Sequence, residues 1–395
     1  MITAQNIKTA AEEFFEEVRN HRRHIHAHPE LSYEEHNTAH YVASILNQWE
    51  IPYEHCTPTG LVAYLKGANP AKKVIALRAD LDALPIHETN NIAYKSTNDG
   101  KMHACGHDVH TSALLGAIRI LKQYQDQWEG TIKLIFQPGE EQIPGGAYLM
   151  MQEGVLKNPE PTVIFGQHVM PELESGTIGL KPGKFMASSD EIAIAVKGKG
   201  GHAAMPYKTI DPILIASHLV VALQQTVSRY SDPNIPTVLS FGSINGGEIN
   251  NVIPNRVELL GTFRTFNETW RAEAHEKIKK LAEELVSSMG GSCEINIKEG
   301  YPCLINHEST TEHAHEWAIE FLGAHYVHDL NFRPTAEDFA YYSQAMPGCF
   351  YRLGVANPSK GINSSLHTST FDVDEEALKT GMGFMAFLAL KTLNQ

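Results

Sequence analysis

The stretch Thr131-Ile132-Lys133-Leu134-Ile135-Phe136 reads as a β-strand: a short apolar run, stopped by Pro138-Gly139 and followed by two adjacent acids, Glu140 and Glu141. Neighbouring residues on an extended chain point to opposite sides, so the two carboxylates need not share one environment. Such a pair suits a solvated turn as well as a functional one, and the surrounding elements have to decide. Lys73-Val74-Ile75-Ala76-Leu77 is a second apolar run, ending in Arg78-Ala79-Asp80-Leu81-Asp82-Ala83-Leu84-Pro85. A third, Pro161-Thr162-Val163-Ile164-Phe165-Gly166-Gln167-His168, ends in a histidine.

Helical patterns separate these runs. The first fifty residues are helical in period, and Ser32-Tyr33-Glu34-Glu35 has the form of a capping box that starts a second helix toward Trp49. Met102-His103-Ala104-Cys105-Gly106-His107-Asp108 opens another, whose Leu114, Ile118 and Leu121 share a face. Strands alternating with helices predict an α/β fold with a mostly parallel sheet. Ligands of such sheets sit beyond the carboxyl ends of the strands, where Asp82, Glu140, Glu141 and His168 fall.

The pattern changes near Pro182-Gly183. From Asp190 it reads strand (191–196), helix (211–228), strand (237–243), strand (256–264), helix (268–289), strand (293–298). That β-α-β-β-α-β order predicts a small ferredoxin-like layer. The reading is a domain of residues 183–298 inserted into a larger one formed by 1–182 and 299–395.

The chain has 395 residues, 42% hydrophobic, with a formal net charge of −14, which argues for a large core and against nucleic acid as a partner. No apolar run approaches the roughly 20 residues of a membrane span, and the acidic helical start is not a signal peptide. Five scattered cysteines (Cys56, Cys105, Cys293, Cys303, Cys349) form no disulfide framework and predict free thiols in a cytoplasmic protein.

Cys105 and His107 precede a helix, whose dipole is expected to lower the thiol pKa and favour the metal-binding thiolate. With Glu141 and His168 at later strand ends they make a donor set suited to Zn²⁺, Mn²⁺, Co²⁺ or Ni²⁺. The histidines His21, His24, His26 and His28 lack the acid of an HExxH site and read as a cation-rich helix end.

Ordered motifs run along nearly the whole chain: Arg22-Arg23-His24-Ile25-His26 with His28-Pro29-Glu30-Leu31, Asp80-Leu81-Asp82-Ala83-Leu84-Pro85, Met102 to Asp108, Gly139-Glu140-Glu141 and Gly200-Gly201-His202-Ala203-Ala204-Met205-Pro206. Asn251-Val252-Ile253-Pro254, Gly261-Thr262-Phe263-Arg264, Ala336-Glu337-Asp338-Phe339 and Leu366-His367-Thr368 continue the series. Together they resemble the metallopeptidase family M20. The nearest likeness is to its branch of hippurate hydrolases, N-acyl-amino-acid amidohydrolases and auxin-conjugate hydrolases.

The resemblance implies a site for two divalent ions (Mn, Zn, Co or Ni), held by Cys105, His107, Glu141, His168 and His367. It gives Asp82 the part of orienting a ligating histidine and Glu140 that of general base toward a metal-activated water. It places His202 across a homodimer interface, stabilising the oxyanion, with Asn251 and Arg264 near the substrate. The inserted domain becomes a lid that also dimerises, and the larger one the catalytic domain. The implied reaction is hydrolysis of N-acyl-amino acids, acetyl, benzoyl or similar. A dipeptidase or carboxypeptidase of the same family, and a non-catalytic metal-binding protein, are the alternatives. Tyr207 stands where many relatives have histidine, and Thr335-Ala336 where Gly-Ser is commoner; both bear on substrate preference rather than on the metal set.

Overall fold

Fully buried strands need apolar side chains on both faces, and the three runs read from the sequence become the middle of a sheet. The computed structural model describes residues 2–395. It forms two compact units. The first takes the chain up to Gly183, Ile305–Asn331 and Asp338–Gln395, and the second takes Lys184–Leu304 and Phe332–Glu337.

In the first unit an eight-stranded mixed sheet has the order Tyr53–Cys56, Gly60–Lys66, Thr131–Gln137, Val74–Asp80, Ile164–Glu174, Gly348–Ala356, Ile178–Leu180, Val327–Asp329. Its four central strands, from Thr131–Gln137 to Gly348–Ala356, run parallel. Antiparallel pairings flank them. Every residue of Thr131–Gln137 is buried, Lys133 included, because its ammonium donates to the carbonyls of Val155 (2.7 Å) and Lys157 (2.8 Å). The strand Ile164–Glu174 runs on past His168, which therefore lies inside the strand rather than at its end.

Helices Ala4–Ala27, His107–Gln123 and Ala377–Leu393 pack on one another beside this sheet. Leu114, Ile118 and Leu121 are fully buried, each contributing about 1.5–3 kcal/mol by its removal from water. The second helix begins at His36, and the expected capping box at Ser32–Glu35 does not form. Glu30 caps instead, accepting from the backbone N–H of Asn37 (3.2 Å) and Thr38 (2.8 Å).

The second unit is an antiparallel sheet of four strands, in the order Thr237–Asn245, Arg256–Thr265, Asp190–Lys197, Ser292–Glu299. Helices Pro212–Leu223 and Glu268–Ser288 share its core with Ile194, Leu219, Phe263 and Ile278. The chain order is the β-α-β-β-α-β expected. Among the described residues, no helix is long and apolar enough to cross a membrane.

Candidate metal centre

Cys105 is delivered by a turn that enters the helix His107–Gln123 through Gly106 at φ 84°, a left-handed conformation that favours glycine. A Cβ at Gly106 would also lie 2.4 Å from the Val169 side chain, so the turn can sit against the strand that carries His168. His107, the first helical residue, donates from Nδ1 to the Asp82 carbonyl (2.8 Å) and to Asp82 Oδ1 (3.2 Å), leaving Nε2 for other work. His168 is fixed in the same way: Nδ1 donates to the Val169 carbonyl at 2.7 Å, and Nε2 lies 3.4 Å from Cys105 Sγ.

His367 arrives from a loop, at φ 60°, with its backbone N–H on the Ala104 carbonyl. Its Nε2 is 3.3 Å from Cys105 Sγ and 3.3 Å from Glu141 Oε1. Glu141 Oε1 and Glu140 Oε2 lie 4.0 and 3.9 Å from His107 Nε2. The donor atoms form the groups Cys105–His107–His168, Cys105–Glu141–His367 and His107–Glu140–Glu141, each spanning no more than 4.8 Å. Cys105 joins the first two.

This arrangement fits a divalent cation. His107 Nε2 is buried and makes no hydrogen bond, a condition rare among buried polar atoms. Sulfur, imidazole and carboxylate together suit the borderline metals of the first transition row.

The electrostatics of the site correct one expectation. Burial, reinforced by Glu141, pushes the Cys105 thiol up, opposite to the direction expected from the helix dipole. Burial and then Arg352 hold His168 well below the usual histidine value, so it stays neutral. His107 is held well above that value, because Asp80 and then Asp82 overcome the effect of burial. Hydrogen bonds to Cys105 and Glu141 raise His367 to about 10. To hold a cation, Cys105, His107 and His367 would have to give up the protons that these shifts favour.

Two parts of the setting went unread in the sequence. His110 donates from Nδ1 to Asp80 Oδ1 (2.6 Å) and accepts the Val169 N–H (2.9 Å), bracing the backbone beside His168. Its spacing of three from His107 on a buried helix was the available signal. Arg78, fully buried, donates to Asp80 (2.6 Å), Gln137 (2.9 Å) and Asp338 (2.8 Å), and no local pattern marks it. Of the early histidines, His26 is buried between Asp108 (2.8 Å) and Glu88 (3.3 Å), and His24 stacks on Tyr41; none joins the donor groups among the described residues.

His202, Asn251 and Arg264 belong to the second unit. His202 is exposed on the short strand Gly201–His202, paired with Val252–Ile253. The Asn251 carbonyl accepts the Ala203 N–H, and Arg264 is half-buried on the strand Arg256–Thr265.

Residues 76–391 match the model of peptidase family M20/M25/M40. The chain is 42% identical over 308 residues to the N-acyl-L-amino acid amidohydrolase of Geobacillus stearothermophilus, covering 78% of this chain and 82% of that one. It is 38% identical over 376 residues to an N-acetylcysteine deacetylase of Bacillus subtilis, covering 95% and 96%. The crystal structure of a dinuclear metal binding peptidase of the M20 family from Bacillus subtilis superposes with TM-score 0.83 at 35% identity, over 97% of this chain and 99% of that one. The chain belongs to the M20/M25/M40 peptidase family, and within it is a metal-dependent amidohydrolase.

Proposed function

We propose that the protein hydrolyses the amide bond of N-acyl-amino acids, with an acetyl, benzoyl or similar acyl group. The convergence of Cys105, His107, Glu141, His168 and His367, with Glu140 beside them, carries the reading. The names of the two amidohydrolase relatives support the substrate class. These five residues would hold two divalent ions, Mn, Zn, Co or Ni, which supply a Lewis acid for the amide carbonyl and acidify a water.

Glu140 takes the proton of the attacking water and later hands it to the leaving amine, as base and then acid. Asp82 keeps the His107 proton on Nδ1, so that Nε2 is presented as a lone pair. Arg264 and Asn251 serve the substrate, the guanidinium as a fork for its carboxylate. The larger unit acts as the catalytic domain and the inserted unit as a lid.

That lid also pairs two chains into a homodimer, in which His202 of one chain stabilises the oxyanion in the other. Leu214 and Val221 on the helix Pro212–Leu223, and Ile244 on the outermost strand Thr237–Asn245, are exposed and support a dimerisation face there. The five free cysteines support a cytoplasmic setting.

The test is a panel of N-acetyl-, N-benzoyl- and dipeptide substrates assayed with each metal, alongside Glu140→Gln. The variant is expected to keep its metal and to lose at least about 100-fold in kcat, the scale of a lost general base. An active variant overturns the role of Glu140. A variant that loses metal makes Glu140 a ligand.

A further inference from the structure

Glu30 caps the second helix, and this leaves Ser32, Tyr33 and Glu35 without the task their sequence pattern suggests. Tyr33 and Glu35 bond directly to the loop that carries Glu140 and Glu141, and Ser32 reaches it through Asp82. Tyr33 Oη donates to the Gln142 carbonyl (2.7 Å) and accepts the Gly145 N–H (3.0 Å), spanning the loop's far side. Glu35, fully buried, accepts the Gly139 N–H at 2.7 Å through one oxygen and the Thr59 hydroxyl at 2.7 Å through the other. Ser32 donates to Asp82 Oδ2 (2.6 Å), the same oxygen that accepts the Glu141 N–H (2.9 Å). The loop is thus held immediately before Glu140, at Glu141 itself, and just after.

Two backbone features show that the fit is close. Tyr33 sits at φ 67°, a left-handed conformation that a bulky residue keeps only where its surroundings impose it. The chain bends beneath it at Gly139, φ 57°, where a Cβ would come 2.3 Å from the tyrosine ring. A loop without regular structure has no ladder of its own to fix two adjacent carboxylates on different tasks. Here the fixing comes from a turn more than a hundred residues earlier in the chain, at Tyr33, against Gln142.

We propose that Ser32, Tyr33 and Glu35 form a clasp of positioning residues that fixes Glu140 and Glu141 against His107. This rests on the reading of Glu140 as base and Glu141 as ligand, and it adds residues to which nothing above gives a part in the reaction. Tyr33→Phe is the sharpest probe, since it keeps the ring over Gly139 and removes only the hydroxyl. Glu35→Gln is the second, since it keeps an acceptor for Gly139.

The experiment measures, on the metal-loaded enzyme, kcat with an N-acetyl-amino acid at saturating Zn²⁺, Zn²⁺ affinity by competition with a chelator, the melting temperature, and amide exchange at Gly139 and Gly145. Tyr33→Phe is expected to speed exchange at Gly145 and to lower both kcat and Zn²⁺ affinity about tenfold, the lower end of what outer supporting residues of metal sites are worth. Glu35→Gln should shift the same quantities in the same direction by less. A merely structural tyrosine would lower the melting temperature and leave kcat and Zn²⁺ affinity within twofold of wild type, and that result overturns the clasp. Glu140→Gln, run beside them, separates the failures. If it stays active, the general-base reading falls. If it is inactive while Tyr33→Phe is unchanged, only the clasp falls.

Discussion

Asp82→Asn isolates the geometry of the centre, because it alters one atom's charge and hydrogen-bonding sense at nearly constant volume. Asp82 is buried, and both its oxygens accept: Oδ1 from His107 Nδ1 at 3.2 Å, Oδ2 from Ser32 at 2.6 Å and from the Glu141 N–H at 2.9 Å. Asparagine has one accepting oxygen, so its amide must face either the His107 N–H or the Glu141 N–H, donor against donor. His107 has a second acceptor in the Asp82 carbonyl at 2.8 Å, so the oxygen should stay with Glu141 and the amide should face His107.

The loss is then one hydrogen bond to a charged group, about 1.5–3 kcal/mol. At 1.4 kcal/mol per decade this weakens metal binding by roughly 10- to 150-fold, in line with the effect of other residues that orient metal-binding histidines. Chelator competition with Zn²⁺ or Mn²⁺ measures it directly, with the melting temperature of the metal-free protein as control for folding. Metal affinity within twofold of wild type would refute the reasoning, since His107 would then need no second acceptor.

Cys105→Ala is expected to lower metal content by elemental analysis, whereas Cys303→Ala, far along the chain in the second unit, is not; equal occupancy in wild type and Cys105→Ala would sink the thiolate ligand. Burial, with Asp82 close by, raises Glu35 from 4.5 to about 7, so the folded state holds a proton there that the unfolded chain releases above pH 4.5. Glu35→Gln should therefore gain stability relative to wild type by up to roughly 3 kcal/mol as pH rises from 4.5 to about 7, and no further above it. A denaturant-midpoint difference that is flat in pH contradicts this. Chains with Glu140→Ala and with His202→Ala, each nearly inactive alone, should recover about a quarter of wild-type activity after random reassortment, because half of the dimers are mixed and each mixed dimer has one complete site. No recovery despite proven subunit exchange removes His202 from the neighbouring chain's site.

The central strands were legible because a strand buried on both faces must be an apolar run, as at 131–136 and 74–77. The inserted layer was legible because its helices and strands follow one another without long detours. The order of the sheet was not, since it depends on Gly348–Ala356 entering beside Ile164–Glu174, a pairing that no local pattern encodes. The same division holds in the centre. Cys105, His107, Glu141 and His168 sit beside strong local signals, a helix start or a strand. His367 sits in a loop and was reached only through its family motif. Ser32-Tyr33-Glu34-Glu35 was misread because its residue types suit a cap, and only the distant loop at Gly139–Gly145 reveals their partners.

The late entry of the strand Gly348–Ala356 has a consequence for synthesis. In the finished sheet it lies between Ile164–Glu174 and Ile178–Leu180. While the ribosome is still translating the second unit, the strand bearing His168 therefore presents an open edge, the kind of surface that recruits other strands. Lys184–Leu304 is continuous in the chain and can fold during that interval. A nascent chain stalled at Pro347 should accordingly show a protease-resistant second unit, bound chaperone and a cleavable 164–174 segment. Release of the chaperone should follow once Ala356 has emerged, and equal protection of the 164–174 segment at both stalls would show that the edge is covered some other way.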